Sequence, residues 1–294
     1  MSLRLEMLQV ARLAPGVLGD AATLVEAFVR SCQQADGGFC GRAGTSDLYY
    51  TSFAVDALTA LRAELPEEAL ITYLRSFGEG EGLDFIHLCC LSRLWSVTRI
   101  ARMEDALRDR LLASIEQYRT PDGGYDARSG ALAGSSYGCL LGYAAYADHH
   151  LLPPQVDRLS DCVRGLRTKE GGWTNDPKFR IASGPATAAA VSLCRNLRLP
   201  LGPETASWLM QCYHPEGGFR AIPEAPMPDL LSTAVILHAL DGLQAPLGGI
   251  KEACLDYVDS LWTNDGGFHG NWADDALDVE YTYYGLLALG HLAL

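Results

Sequence analysis

Four aspartates stand in one recurring local setting: Asp47-Leu-Tyr-Tyr-Thr51, Asp84-Phe-Ile-His-Leu88, Asp229-Leu-Leu-Ser-Thr233 and Asp278-Val-Glu-Tyr-Thr282. Each opens an apolar stretch. A carboxylate there accepts from the free N–H groups of a first helical turn and suits the positive end of the dipole. Together the four would form an acidic rim, and paired carboxylates also serve glycoside chemistry. A glycosidase or lyase is therefore one reading of the rim, although capping accounts for each member. His87 and Cys90 lie one helical turn apart, as two metal ligands can. No further cluster completes them, so they read as packed side chains beside a buried thiol. His149 and His150 end an apolar stretch, where positive charge suits a helix C-terminus. Aromatics gather at three helix starts: Tyr49, Tyr50 and Phe53; Tyr137 and Tyr143; Tyr281, Tyr283 and Tyr284. Facing inward they would line an apolar cavity with polar tips; facing outward they would pack between helices. There is no Gly-x-Ser-x-Gly, Walker loop or Cys-x-x-Cys.

The elements that must position these residues follow from a repeat. Asp36-Gly37-Gly38-Phe39, Asp122-Gly123-Gly124-Tyr125, Glu170-Gly171-Gly172-Trp173, Glu216-Gly217-Gly218-Phe219 and Asp265-Gly266-Gly267-Phe268 recur along the chain. The first glycines are 86, 48, 46 and 49 residues apart. A degenerate copy, Gly78 to Gly82 followed by Asp84-Phe85, fills the long gap and makes six units. Paired glycines end a helix and reverse the chain, and the aromatic after them anchors the turn. The spacing predicts amphipathic outer helices over 19–33, 66–77, 103–118, 154–166, 203–212 and 249–262. Pro66, Pro154 and Pro203 stand at three of their starts. An apolar inner helix follows each turn, capped by the four aspartates or by Ser135 and Ser183. The fourth is mostly small, with Ala182, Ala186, Ala188, Ala189 and Ala190, which predicts open space beside it on the axis. The terminal units are as apolar as the middle ones. An open stack needs polar caps, so the units are expected to close into an all-α ring, an α/α toroid forming one domain over 1–294.

The chain has 294 residues, 48% hydrophobic and 20% charged, with net charge −13. Phosphate neutralisation needs a basic face, so nucleic acid and anionic membrane surfaces are not expected partners. No apolar run reaches the roughly 18 residues of a membrane span. Arg4 and Glu6 interrupt the first ten residues, so these do not read as a signal peptide. Nine scattered cysteines read as free thiols in a reducing cytoplasm.

Six Gly-Gly-aromatic units, with Gln33-Gln-Ala-Asp-Gly-Gly-Phe-Cys-Gly-Arg-Ala-Gly-Thr-Ser-Asp-Leu-Tyr-Tyr-Thr51 as the fullest copy, closely resemble the β subunits of protein prenyltransferases. They are also similar to the repeats of squalene and oxidosqualene cyclases. The resemblance implies a six-pair α/α barrel around a lipid-binding centre. In the farnesyl and geranylgeranyl transferases, zinc sits on Asp-x-Cys at the fifth inner helix and a histidine at the sixth. The matching positions here are Asp229, Leu231 and Tyr281, and one carboxylate does not make a zinc site. No zinc, and no other cofactor, is expected. The family's Arg-Pro-x-Lys diphosphate stretch is replaced by Ile222-Pro-Glu-Ala-Pro-Met-Pro228, and its fourth-unit histidine falls near Ala182 or Ser183. Lys178, Arg180 and Arg220 follow the turns of units four and five and are the candidates for a substitute anion site; they also read as solvated loop charges. The cyclases' Asp-x-Asp-Asp acid is absent. Asp274-Asp275-Ala-Leu-Asp278 matches the Asp-Asp-x-x-Asp of class I terpene synthases, but Asp274 and Asp275 read as loop acids and Asp278 as a cap. The thioester motif of complement-type toroids is missing.

The expected function is a prenyltransferase-like or terpenoid-handling ring that takes an isoprenoid or similar apolar ligand along its axis. Tyr50, Phe53, Tyr137, Tyr281, Tyr284, Asp229 and Asp278 are the expected cavity residues. The competing reading is a non-catalytic scaffold. The family analogy implies a helical-repeat protein partner.

Overall fold

The computed structural model describes residues 2–294. Two short helices, α1 (Leu3–Ala11) and α2 (Ala14–Leu18), precede six helix pairs. These are α3 (Ala21–Ser31) with α4 (Leu48–Ala60), α5 (Glu67–Arg75) with α6 (Phe85–Val97), and α7 (Asp105–Glu116) with α8 (Ser136–Ala147). They continue as α9 (Val156–Gly165) with α10 (Gly184–Asn196), α11 (Pro203–Gln211) with α12 (Leu230–Gly242), and α13 (Lys251–Ser260) with α14 (Val279–Ala293). Between the last two helices, strands β1 (Phe268–His269) and β2 (Leu277–Asp278) pair antiparallel, with Phe268 opposite Asp278. The second helix of each pair packs on the next, and α14 packs on α4. The ring is therefore closed. Among the described residues no helix is long and apolar enough to cross a membrane.

Local chemistry sets each inner helix. The Asp47, Asp84, Asp229 and Asp278 carboxylates accept from first-turn N–H groups at 2.7–3.0 Å. Ser135 and Ser183 do the same at 3.1 and 3.3 Å. All six expected caps are therefore formed. The turn aromatics Phe39, Tyr125, Trp173, Phe219 and Phe268 are buried. In three units the threonine four residues past the cap takes the aromatic's N–H: Phe39 to Thr51, Trp173 to Thr187 and Phe219 to Thr233, each at 2.9 Å. One hydroxyl thus locks the turn to the helix it precedes.

The glycines do more than reverse the chain. Gly217 has φ +98°, and a Cβ on it would lie 1.9 Å from the Ala253 carbonyl oxygen of α13. A Cβ on Gly266 (φ +88°) would lie 2.1 Å from the Leu24 oxygen of α3. Five of the six turns dock backbone-to-backbone on the next unit's outer helix, the sixth on the first; the degenerate second turn instead sets Gly80 against the Leu88 and Leu111 side chains. The proline expectation needs one correction. Pro203 begins α11 and Pro66 caps α5, but α9 begins after Gln155, which is left-handed at φ +53°.

The axis also differs from expectation. Helix α1 touches α4, α8, α10 and α14, which lie on opposite sides of the ring, so it sits inside. Its contacts fall at the C-terminal ends of the inner helices. Arg4 meets Asp56 at 2.6 Å, and Glu6 meets Arg195 at 3.3 Å. Leu8 is buried. Inner-helix side chains therefore do not fill the axis alone: α1 stops the end opposite the glycine turns and leaves the turn end as the mouth.

Candidate functional site

At the mouth, neighbouring units are stitched together by the residues that cap the helices. His87 bridges the first two caps, with Nε2 3.0 Å from Asp47 and Nδ1 2.8 Å from Asp84. These two carboxylates raise the imidazole's pKa against the opposing effect of its burial, and Asp84 is lowered in turn. His87 is thus a rim clamp rather than a partner of Cys90. Arg42, in the turn of unit one, reaches unit six. Its Nε donates to Asp278 at 2.7 Å and its terminal nitrogens to Asp274 at 2.6 and 3.1 Å. Its guanidinium also lies 5.4 Å from the Tyr281 ring centre. So Asp274, expected as a loop acid, forms half of an ion-pair seam, and Asp278 combines capping with the other half. Asp229 is the rim carboxylate without a cation; burial raises its pKa.

The interior is aromatic near the mouth and charged below. The Tyr49 hydroxyl donates to Glu280 at 2.6 Å across the meeting of α4 and α14. Burial is the main cause that pushes the Glu280 carboxyl up to about 7, with the nearby Asp278 charge adding to it. Phe53 packs edge-on to Tyr49 at 5.0 Å and against Tyr284 at 5.4 Å. Below them a cavity of about 40 Å³ lies between α4, α6 and α8. Phe53, Tyr137 and Leu141 line it together with Asp56, Arg93 and Asp148. Tyr137, at the first turn of α8, keeps 38% of its surface accessible.

Of the expected cavity residues, Phe53 and Tyr137 line the space, and Tyr284 backs Phe53. Tyr50 lies against Gly41 and Tyr281 against Gly270, both at the rim beside Arg42. The cavity below Phe53 does not border α10. Its alanines are buried, so the opening predicted beside unit four is instead beside units one to three. Lys178 and Arg180 are exposed on one loop. Arg220 directs its nitrogens at the carbonyls of Gln211, Cys212, Tyr213 and Ala225, the end of α11 and its turn. At the zinc-equivalent positions the donors are Asp229, a leucine and a tyrosine beneath a guanidinium, a set that does not fit zinc. Among the described residues no group of three His, Cys, Asp or Glu side chains could hold a metal ion.

Sequence reasoning passed over Glu280, Arg93, Asp56 and Asp148. A signal existed for two of them. Asp56 and Arg93 interrupt otherwise apolar inner helices, and long charged side chains are rarely enclosed without a reason.

A family profile described as the prenyltransferase alpha-alpha toroid domain matches residues 6–200 and 200–293. No curated protein matches the chain. Among solved structures, a single-substitution variant of the type II terpene cyclase MstE from Scytonema, in complex with geranylgeranyl dihydroxybenzoate as substrate, aligns with a TM-score of 0.61 at 14% identity. The alignment covers 95% of this chain and 97% of that one. A protein from Actinoplanes aligns with a TM-score of 0.62 at 15% identity, over 94% and 99% of the two chains. At these identities the likeness is one of fold.

Proposed function

Because the chain belongs to the prenyltransferase alpha-alpha toroid family, we propose that its ring interior binds an isoprenoid or similar apolar chain, entering at the mouth where the glycine turns lie. The observation that carries this reading is the inward aromatic wall of Tyr49, Phe53, Tyr137 and Tyr284, with Glu280 set among them. Such walls, apolar with a few polar tips, are where small molecules bind. A cavity of about 40 Å³ takes only a few atoms. A longer chain therefore requires the aromatic side chains to turn aside, a population shift the ligand itself can drive. Tyr137, at the first turn of α8, is placed to move first. Lys178 and Arg180 are exposed on the loop before α10 and Arg220 is engaged with carbonyls, so none of the three is assigned to the ligand in this reading.

Thermal-shift titration with geranylgeraniol and farnesyl diphosphate, together with mass spectrometry of co-purifying small molecules, tests the proposal. Stabilisation that Phe53→Ala abolishes supports it. No stabilisation by either compound and no co-purifying lipid defeat it. The stopper α1 favours a second reading, in which the ring is a scaffold for a helical-repeat protein. That reading requires a stoichiometric protein complex indifferent to Phe53→Ala.

A further inference from the structure

Helix α6 is apolar along its buried face, from Phe85 through Leu88, Leu91 and Leu94, yet it carries Arg93 inward. The Arg93 side chain keeps 25% of its surface accessible and lines the cavity between α4, α6 and α8. Its Nε makes one long contact, 3.4 Å to Asp148. Among the described residues its two terminal nitrogens have no hydrogen-bond partner. The other nearby carboxylate, Asp56, is held by Arg4 from α1 at 2.6 Å. The Tyr137 hydroxyl, on the same cavity, likewise has no partner among the described residues. Accessible donors without a protein acceptor are free to take one from a ligand. A planar fork of N–H groups suits a carboxylate in two-point contact. One water needs about 10–15 Å³ of cavity space, so the cavity of about 40 Å³ has room for a group of a few heavy atoms, as a carboxylate is.

We propose that Arg93, assisted by the Tyr137 hydroxyl, anchors a carboxylate at the inner end of the ligand. The ligand is then an apolar chain ending in an acid, with the acid seated deep and the chain running past Phe53 toward the mouth. This rests on the reading of the ring interior as a ligand site, and it names the chemical class of the ligand. Asp56 stays with Arg4 and Asp148 stays on the Arg93 Nε, so the incoming acid takes the two terminal nitrogens.

Two measurements test it separately from the parent reading. In the first, the Arg93 Nε–Hε resonance of the full chain, assigned by its loss in Arg93→Lys, is followed during titration with butyrate, butanol and inorganic phosphate. A saturable shift with butyrate alone is expected. No shift with butyrate, or a shift only with phosphate, overturns the proposal. In the second, the affinities of farnesoic acid and farnesol are compared. The acid is expected to bind at least tenfold tighter, with the ratio falling to near one in Arg93→Met while farnesol affinity holds. If Arg93→Met does not fold, Arg93→Lys serves, since it keeps the charge and loses the fork. Equal binding of acid and alcohol to the unaltered protein overturns the carboxylate anchor and leaves the isoprenoid site standing. A butyrate shift with neither farnesyl compound bound supports the anchor and defeats the isoprenoid site.

Discussion

Glu280 and Tyr49 share a hydrogen bond in a setting that lifts the carboxyl to about 7. An unfolded glutamate titrates near 4.3. Between these values the folded chain holds more protons than the unfolded one, so Glu280 lowers stability as pH rises through the window and levels off above it. Glu280→Gln removes the charge and keeps an acceptor for Tyr49. It is expected to be more stable than the parent by about 2 kcal/mol at pH 8 and equal to it at pH 4, read from urea midpoints. Equal midpoints at both pH values would show the carboxyl to be ordinary. Arg42 acts at the same scale. Arg42→Ala leaves Asp278, 2% exposed, without its cation, and is expected to cost about 2 kcal/mol. Asp274→Ala removes only the more exposed partner and should cost under about 1 kcal/mol. Equal losses in chemical denaturation would mean that Asp278 does not depend on the pair.

At the scale of elements, the glycine turns carry the sharpest expectation. Gly266→Ala demands a positive φ of a residue with a Cβ and drives that Cβ into the Leu24 carbonyl. Gly130→Ala meets the same backbone demand (φ +73°) in open space. The second change should cost about 1 kcal/mol, and the first several times more in thermal unfolding, because two packed backbones must part. This also marks what the sequence made legible. Paired glycines, a following aromatic and a capping acid have local causes, so the helix pairs, their order and their caps could be read from spacing. Backbone-on-backbone docking between units could not, since its partner lies in another repeat. Helix α1 was hidden for a related reason. Leu3, Leu8 and Ala11 form a short, weakly patterned stretch with Arg4 and Glu6 among them, and only Asp56 and Arg195 of distant helices give those charges a place inside the ring. Of the candidate site, Phe53 and Tyr137 were legible as aromatics at helix starts. Arg93 and Glu280 depend on which way a helix turns its face, which small differences in packing decide.

The whole molecule has a charge-free seam of its own at the stoppered end. His238 of α12 and His291 of α14 hydrogen-bond at 3.1 Å, with Asp241 3.8 Å from His291 at the surface side. Burial depresses His238 to about 4, and burial with its partner depresses His291 to about 3. Free histidine titrates near 6.5, so below that pH the unfolded chain takes up more protons and stability falls as acid is added. In a Glu280→Gln background, which removes the opposing carboxyl, stability is expected to be at least about 2 kcal/mol lower at pH 5 than at pH 7. His238→Asn with His291→Gln should flatten that limb; a fall that persists in the double variant assigns it elsewhere. Ring closure has a consequence in time as well as in shape. Arg42 and Asp274 are 232 positions apart in sequence, while every other junction joins consecutive units. Contacts so remote form late, because the longest loop must be closed to make them. Until then the molecule is an arc with the bare flanks of α4 and α14 at its two ends. Each flank is complementary to the other, and equally to the same flank of a second arc. Crowded refolding should therefore divert chains into doubled rings, and the yield of closed single rings in size-exclusion chromatography should fall as the refolding concentration rises.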